Sequence, residues 1–234
     1  DLWPMTFLHF MAALALVFFL WKRKEKCGLA FHDNRLWNYL MFCSAPFMLG
    51  GLFIQRYMIN YELQPRFIAW TMLGCAAIFI LLLKNSKKGI LASLGESETL
   101  VEKSIEIPSM KSAGFVALVQ LIAPFGGLSH LGLLLAAGML LKWPREYAFY
   151  MSLFLMIPVL LMKGIFGLVD ASAMSVPFEI HWSLYLFGLL ALIISQTALR
   201  LTLSMLKRQK LYIFAYFMCL VSCYALFKTS REPD

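Results

Sequence analysis

The stretch AGFVALVQLIAPFGGLSHLGLLLAAGMLL, residues 113–141, is apolar along most of its length but is interrupted near its middle. Pro124 removes a backbone hydrogen-bond donor, and the pair Gly126 and Gly127 permits the dihedral angles of a tight turn. As one helix the stretch would be about 43 Å long, more than the roughly 30 Å hydrocarbon core of a membrane. It therefore predicts two half-helices, residues 113–124 and 128–141.

The whole chain has the composition of an integral membrane protein. Of its 234 residues 61% are hydrophobic and 15% are charged, and the mean hydropathy is +0.73. Apolar runs that cross a bilayer must be helical, because every backbone N–H and C=O needs an internal partner. We therefore predict an all-α, polytopic membrane protein. Its other apolar helices are predicted at 5–21, 38–54, 67–83, 147–169, 181–199 and 211–227.

Charge and cysteine usage exclude several classes of protein. The net charge of +8 fits basic loops beside anionic lipid headgroups and needs no nucleic acid. The five cysteines lack metal-ligand spacing and are interpreted as packing residues. The chain has no glycine-rich phosphate loop with its lysine, no paired-histidine metal motif and no Cys-x-x-Cys. The first apolar run is not a signal peptide, because its positive charges follow it.

The Lys and Arg counts of the connecting segments indicate which loops are cytoplasmic, since cytoplasmic loops retain positive residues. The first three connections hold five (22–37), two (55–66) and five (84–112). If residues 113–141 enter and leave on one membrane face, the next three hold two, none and four, and the alternation continues. A single crossing would reverse that order. The count thus predicts a re-entrant hairpin with its tip buried in protein.

This topology divides one membrane domain into four parts. They are a three-helix repeat at 1–84, a cytoplasmic loop at 85–112, the hairpin at 113–141 and a second three-helix repeat at 142–234. The loop is predicted to contain a short helix near 97–105. Three crossings on either side of the hairpin enter from opposite faces, as in an inverted repeat. The first repeat lacks a matching hairpin. Because the chain begins at Asp1 without methionine, we expect a fragment or a processed chain.

The interruption also predicts an anion site. A half-helix that begins near Leu128 points its unpaired N–H groups and the positive end of its dipole at the tip, which favours phosphate. The Ser129 hydroxyl can cap the helix or bond a phosphate oxygen, and His130 can move protons, attack phosphorus or simply pack in the core. We predict Ser129 and His130 as catalytic residues. The predicted substrate-binding residues are Gln120, Gly126, Gly127 and His9.

Three ionisable residues lie in or beside other apolar helices. His9 is inside the first one, where an ionisable side chain is either functional or part of an interhelical hydrogen bond. Lys163 and Asp170 lie seven residues apart on one face of a later helix. That spacing favours lysine snorkelling to the interface, or pairing, over catalysis.

Several segments resemble the undecaprenyl-diphosphate phosphatases of the bacitracin-resistance type, bacterial membrane enzymes of cell-wall lipid recycling. HFMAALALVFFLWKR, residues 9–23, is similar to the family's first span and basic turn, with His9 at a Gln/His position. RLWNYLMFCSAPFMLGGLF, residues 35–53, is similar to its arginine-led segment. AGMLLKWPREYAFYMSLFLMIPVLL, residues 137–161, matches a further motif. The matching residues there are Met139, Leu140, Arg145, Ala148, Ser152 and Pro158.

The interruption itself resembles the family signature Q-x-x-A-x-x-PG-x-SRS-x-x-T. In QLIAPFGGLSHLGLL, residues 120–134, the signature is matched at Gln120, Ala123, Gly127 and Ser129. The sequence departs from it at four positions. Gly126 replaces the proline, His130 the arginine, Leu131 the second serine and Leu134 the threonine.

The resemblance implies a function and its accessories. It implies hydrolysis of a polyprenyl diphosphate to the monophosphate, a divalent cation such as Mg²⁺ or Ca²⁺, and a location in the bacterial inner membrane. The family arginine is taken to hold the diphosphate, and histidine lacks its fixed fork of donors. The family's glutamate-rich first motif would lie upstream of Asp1.

Three readings therefore stay open from the sequence: a lipid-diphosphate phosphatase, a non-catalytic polyprenyl-phosphate binder or transporter, and a truncated chain without activity. The lost arginine favours the second of these. The resemblance leaves homo-oligomerisation open.

Overall fold

A computed structural model describes residues 2–23, 33–53, 64–93, 108–125, 127–173, 182–208 and 210–231. Every regular element in these ranges is an α-helix. In chain order the helices are α1 (Leu2–Trp21), α2 (Asn34–Phe53), α3 (Pro65–Ser93), α4 (Met110–Ile122), α5 (His130–Leu140), α6 (Arg145–Ala173), α7 (Trp182–Lys207) and α8 (Tyr212–Arg231).

The helices confirm the class of an all-helical membrane protein. Within the described ranges, three segments are long and apolar enough to cross a bilayer: Arg145–Val169, Leu184–Lys207 and Tyr212–Arg231. Shorter apolar helical segments occur at Thr6–Trp21, Pro65–Leu81, Met110–Ile122 and His130–Leu140. The large apolar side chains on the outer faces support the same class, since Leu186 is 66% and Leu220 is 71% exposed.

Several helices extend beyond the predicted apolar segments. Helix α3 continues to Ser93, into the segment predicted as a loop, and α7 continues to Lys207. Hydropathy marks only the apolar part of a helix, whereas lysine and arginine are good helix formers that can continue it into the headgroup region. The short helix predicted near 97–105 lies outside the described residues.

The predicted interruption is present. The helix before it ends two residues earlier than predicted, and the helix after it begins two residues later than predicted. Helix α4 ends at Ile122, and the Ala123 N–H donates to the Val119 carbonyl as a C-cap. Gly127 then has a φ of 82°, a left-handed conformation that favours glycine. Helix α5 begins at His130 with Ser129 as its N-cap. We call residues 123–129 the break.

Helix α6 is the centre of the packing. It packs against α1, α2, α5 and α7, and its side chains at Phe149, Tyr150 and Met151 are almost completely buried. At Gly164 and Gly167 the helix approaches α1 closely, where an added Cβ would meet the Phe10 ring and the Thr6 hydroxyl. The absence of side chains at these two positions lets α1 lie directly on α6.

Two close approaches fix the break between neighbouring helices. On α2, a Cβ at Gly50 would collide with the Leu121 carbonyl oxygen and lie 3.3 Å from the Pro124 side chain. On α3, the Ile68 carbonyl oxygen and the Thr71 hydroxyl occupy the space that a Cβ on Gly127 would need. The close packing at Gly50 and Gly127 thus holds the end of α4 and the break between α2 and α3.

Replacement of Gly127 by alanine is expected to destabilise the protein. The added methyl group meets backbone of α3 and forces a left-handed φ on a residue with a Cβ, so the free energy of unfolding should fall by about 2 kcal/mol. Reversible unfolding in mixed detergent micelles measures this change.

Gly114→Ala is the matched control. Gly114 is a helical glycine of α4 with nothing within 4 Å of an added Cβ, so alanine should stabilise by about 0.5–1 kcal/mol. Equal effects of the two substitutions would contradict the packing described for the break.

Candidate functional site

The first turn of α5 presents backbone donors at the break. The Ser129 Oγ accepts a hydrogen bond from the Gly132 N–H at 3.3 Å, and the Leu133 N–H donates to the Ser129 carbonyl at 2.8 Å. The N–H groups at a helix start carry partial positive charge that is strengthened by the helix dipole. This end of α5 is therefore suited electrostatically to an anionic group.

A buried amide lies beside that helix start. Gln120 of α4 is 0% exposed, and its Oε1 accepts a hydrogen bond of 2.5 Å from Nε2 of His130. Its Nε2 has no hydrogen-bond partner among the residues that the structure describes. An unpaired buried amide costs free energy, about 1–3 kcal/mol, unless a ligand or water satisfies it. Gln120 thus offers a donor next to the α5 N-terminus.

An aromatic ring from α2 supports the histidine. The rings of Phe47 and His130 are stacked, with centroids 5.1 Å apart and an interplanar angle of 3°. The Lys163 Nζ of α6 lies 5.2 Å from the centroid of the same Phe47 ring. Phe47 therefore connects the histidine at the start of α5 with a cation on α6.

The predicted site residues are only partly brought together. Gln120, Ser129 and His130 meet at the break, and Gly127 forms its turn. Gly126 lies outside the described residues. His9 is half-buried on α1. Among the described residues, α1 packs on α6 and α7 and makes no packing contact with α4 or α5.

Ser129 and His130 do not form a nucleophile–base pair in this arrangement. The Ser129 oxygen accepts a capping bond, and Nε2 of His130 is engaged by Gln120. The hydroxyl hydrogen of Ser129 and the Nδ1 atom of His130 are the groups left for a ligand. The capping function of Ser129 is the structural alternative that the sequence left open.

The sequence did not indicate Phe47 and Thr71 as neighbours of the break, and it favoured snorkelling or pairing for Lys163. Phe47 and Lys163 lie in apolar runs of α2 and α6, far from the break in sequence, and only packing brings them there. Their one sequence signal is position, since Phe47 follows the in-helix Pro46 and Lys163 interrupts an apolar helix.

The described part of the site does not fit a divalent cation. Among the described residues, no three His, Cys, Asp or Glu side chains lie together. Carboxylate side chains are described only for Asp33, beside the Arg35 N–H at the start of α2, and Glu146, paired with Lys207. Neither carboxylate is at the break.

The fold and the break together define an all-helical membrane protein in which a helix start and the buried Gln120 amide lie side by side at an interruption. The sequence profile of the family described as bacitracin resistance protein BacA matches residues 4–224. The chain therefore belongs to this family.

Curated relatives with the name undecaprenyl-diphosphatase are similar to the chain. The protein of Pelagibacter ubique is 24% identical over 217 residues, which cover 92% of this chain and 78% of that protein. The Nostoc protein is 26% identical over 80% of this chain and 55% of its own length. The Methanobrevibacter smithii protein is 32% identical over 48% of this chain and 40% of its own length. This chain thus spans only about half or less of the last two relatives.

A double-mutant cycle with Gln120→Leu and His130→Phe should reveal the interaction between these residues. His130→Phe keeps a flat ring against Phe47 but deletes the hydrogen bond, and Gln120→Leu deletes it from the other side. We expect a coupling energy of about 1 kcal/mol in the free energy of unfolding, measured in mixed micelles. Strictly additive effects of the two substitutions would rule out the hydrogen bond.

Proposed function

We propose that the chain acts on a polyprenyl diphosphate as an undecaprenyl-diphosphate phosphatase-like membrane protein and binds the diphosphate at the break. The observation that carries this proposal is the completely buried Gln120, whose Nε2 has no described partner and which bonds the first residue of α5. A phosphate oxygen at that place would accept from the amide and from the N–H groups of the helix start.

The surroundings of the break suit the rest of such a lipid. Apolar side chains of α4 are exposed near the break, including Leu118 and Ile122. An isoprenoid tail gains free energy by lying along such surfaces and in the bilayer. A headgroup at the start of α5 with its tail beside α4 would thus separate the charged and apolar ends of the ligand.

Hydrolysis at this site would consume one water. Oxygen of the water bonds the terminal phosphorus, the phosphoanhydride bond breaks, and the products are inorganic phosphate and the lipid monophosphate. Nδ1 of His130 is the group here that can accept the proton of the water, and the Ser129 hydroxyl can donate to a phosphate oxygen. These are the roles that we propose for the two residues.

We propose that α4, the break and α5 form a re-entrant hairpin between two three-helix repeats of opposite orientation. The helix contacts support this, because α1 packs on α6, its counterpart in the second repeat, and α3 on its counterpart α8. The contacts of α1 with α7 and of α2 with α6 also exchange under the same two-fold relation. A site at the broken helices of such a repeat is common in membrane transporters.

A second candidate function is non-catalytic binding or transport of a polyprenyl phosphate. It is favoured by the described carboxylates, Asp33 and Glu146, since neither lies at the break. Among the described residues at the break, His130 is then the one side chain suited to acid–base work. Both functions place the protein in the bacterial plasma membrane.

Phosphate release from undecaprenyl diphosphate by the purified protein in detergent tests the phosphatase. We expect release above a protein-free blank and a fall of at least about tenfold in Ser129→Ala, because a lost donor to the reacting group commonly costs this much or more. His130→Arg should increase release, because arginine restores a bidentate phosphate donor. The assay is run with and without Mg²⁺ or Ca²⁺, since the family resemblance implies a divalent cation.

Ser222→Ala is the control, because Ser222 is a completely buried serine of α8 that donates to the Met218 carbonyl. Absence of release from both the unmodified protein and His130→Arg would sink the phosphatase. Selective binding of the diphosphate without release would support the second candidate.

Cysteine substitutions at Lys111 and Lys142 test the re-entrant hairpin. Both side chains are exposed, one at the start of α4 and the other just after α5. In a variant without the native cysteines, an impermeant maleimide should label both positions from the same membrane face. Labelling from opposite faces would refute the hairpin.

A further inference from the structure

We infer that Lys163 supplies the positive charge that holds the anionic headgroup at the break, in place of the arginine expected at position 130. The inference rests on the proposed function, because it names the cation of that same site. It assigns a binding role to a residue that its sequence position alone would leave at the membrane interface.

The first step is that His130 offers a ligand fewer donors than an arginine at the same position would. Its Nε2 is bonded to Gln120, and its ring is stacked flat on Phe47. One ring nitrogen is left for a ligand, against the five N–H donors and permanent charge of an arginine. The break therefore has neutral donors in place, namely the Gln120 amide, the Ser129 hydroxyl and the α5 N–H groups. A diphosphate also needs a full positive charge nearby.

The second step is the location of Lys163. Its Nζ lies 5.2 Å from the centroid of the Phe47 ring. The Phe47 ring in turn stacks on the ring of His130. The ammonium group of Lys163 and the first residue of α5 thus contact the same aromatic ring. Lysine suits this task because its flexible stem carries a compact charge that can follow the phosphate oxygens.

The third step is the cost of a lysine at this place. Lys163 lies inside the apolar segment Arg145–Val169, at a rise of about 27 Å from Arg145 and about 9 Å from Val169 along the helix. An ionisable residue within a membrane helix is costly and commonly marks a substrate path. The neighbouring Gly164 seats the Phe10 ring of α1, so the helix on this side is packed. The Lys163 side chain is nonetheless exposed, and its Nζ lies over the Phe47 ring that stacks on His130.

Binding measurements on the full chain in lipid nanodiscs test the inference. The probes are undecaprenyl diphosphate and undecaprenol, which share a tail and differ in the headgroup. Lys163→Met keeps an unbranched apolar stem and removes the charge. We expect it to weaken diphosphate binding about tenfold, the loss of one charge-assisted contact, and to leave undecaprenol binding unchanged.

Three further variants give the result its specificity. Lys163→Arg should bind the diphosphate within about twofold of the unmodified protein, since the charge is kept. Lys111→Met, at an exposed lysine at the far end of α4, should have no effect. The double variant His130→Arg, Lys163→Met should recover affinity, because arginine returns a cation to the first residue of α5. Thermal unfolding of each variant verifies that it is folded.

Each outcome decides between the inference and the proposed function. If the unmodified protein prefers the diphosphate, Gln120→Leu loses that preference and Lys163→Met keeps it, the inference is wrong and the proposed site stands. If the unmodified protein binds diphosphate and undecaprenol equally, the proposed function fails and the inference fails with it. Should Lys163→Met prove unfolded, the salt sensitivity of Lys163→Gln binding decides, since loss of a charged contact must weaken the salt dependence.

Discussion

The structure depends on how an interrupted backbone is satisfied in apolar surroundings. Between Ile122 and His130 the helical hydrogen bonds stop, and the freed backbone groups need other partners. The Ala123 N–H bonds the preceding turn, and the Ser129 hydroxyl accepts from the next one. These caps leave the first N–H groups of α5 and one amide nitrogen of Gln120 without a bond from the interrupted backbone. They are the hydrogen-bond donors of the candidate site.

The helical class and the position of the break were predictable because they follow from patterns local to each segment. Pro124 and Gly127 mark the break, and the apolar runs mark the helices, for physical reasons that need no knowledge of their neighbours. The helix ends were less predictable. Helix α3 passes beyond its apolar part to Ser93, because lysine-containing sequence can stay helical outside the hydrocarbon.

The site was predictable only where it is built from one stretch of chain. Gln120, Ser129 and His130 are separated by a few residues, and the break brings them together. Phe47 and Lys163 come from α2 and α6, and only the packing of those helices brings them to His130. The spacing of residues within one segment does not indicate a contact between distant helices. His9 shows the reverse case, since its residue type suggested the site but α1 packs elsewhere.

The close contacts at Gly50 and Gly127 have a consequence for motion. Gly50 lets α2 rest on the end of α4, and Gly127 lets the turn rest on α3. Contacts this close to a main chain leave little room for rearrangement, so we expect the break to move together with α2 and α3. Under the proposed function, a lipid headgroup would meet a turn already seated between α2 and α3, so we expect access to it to change through movement of the surrounding helices.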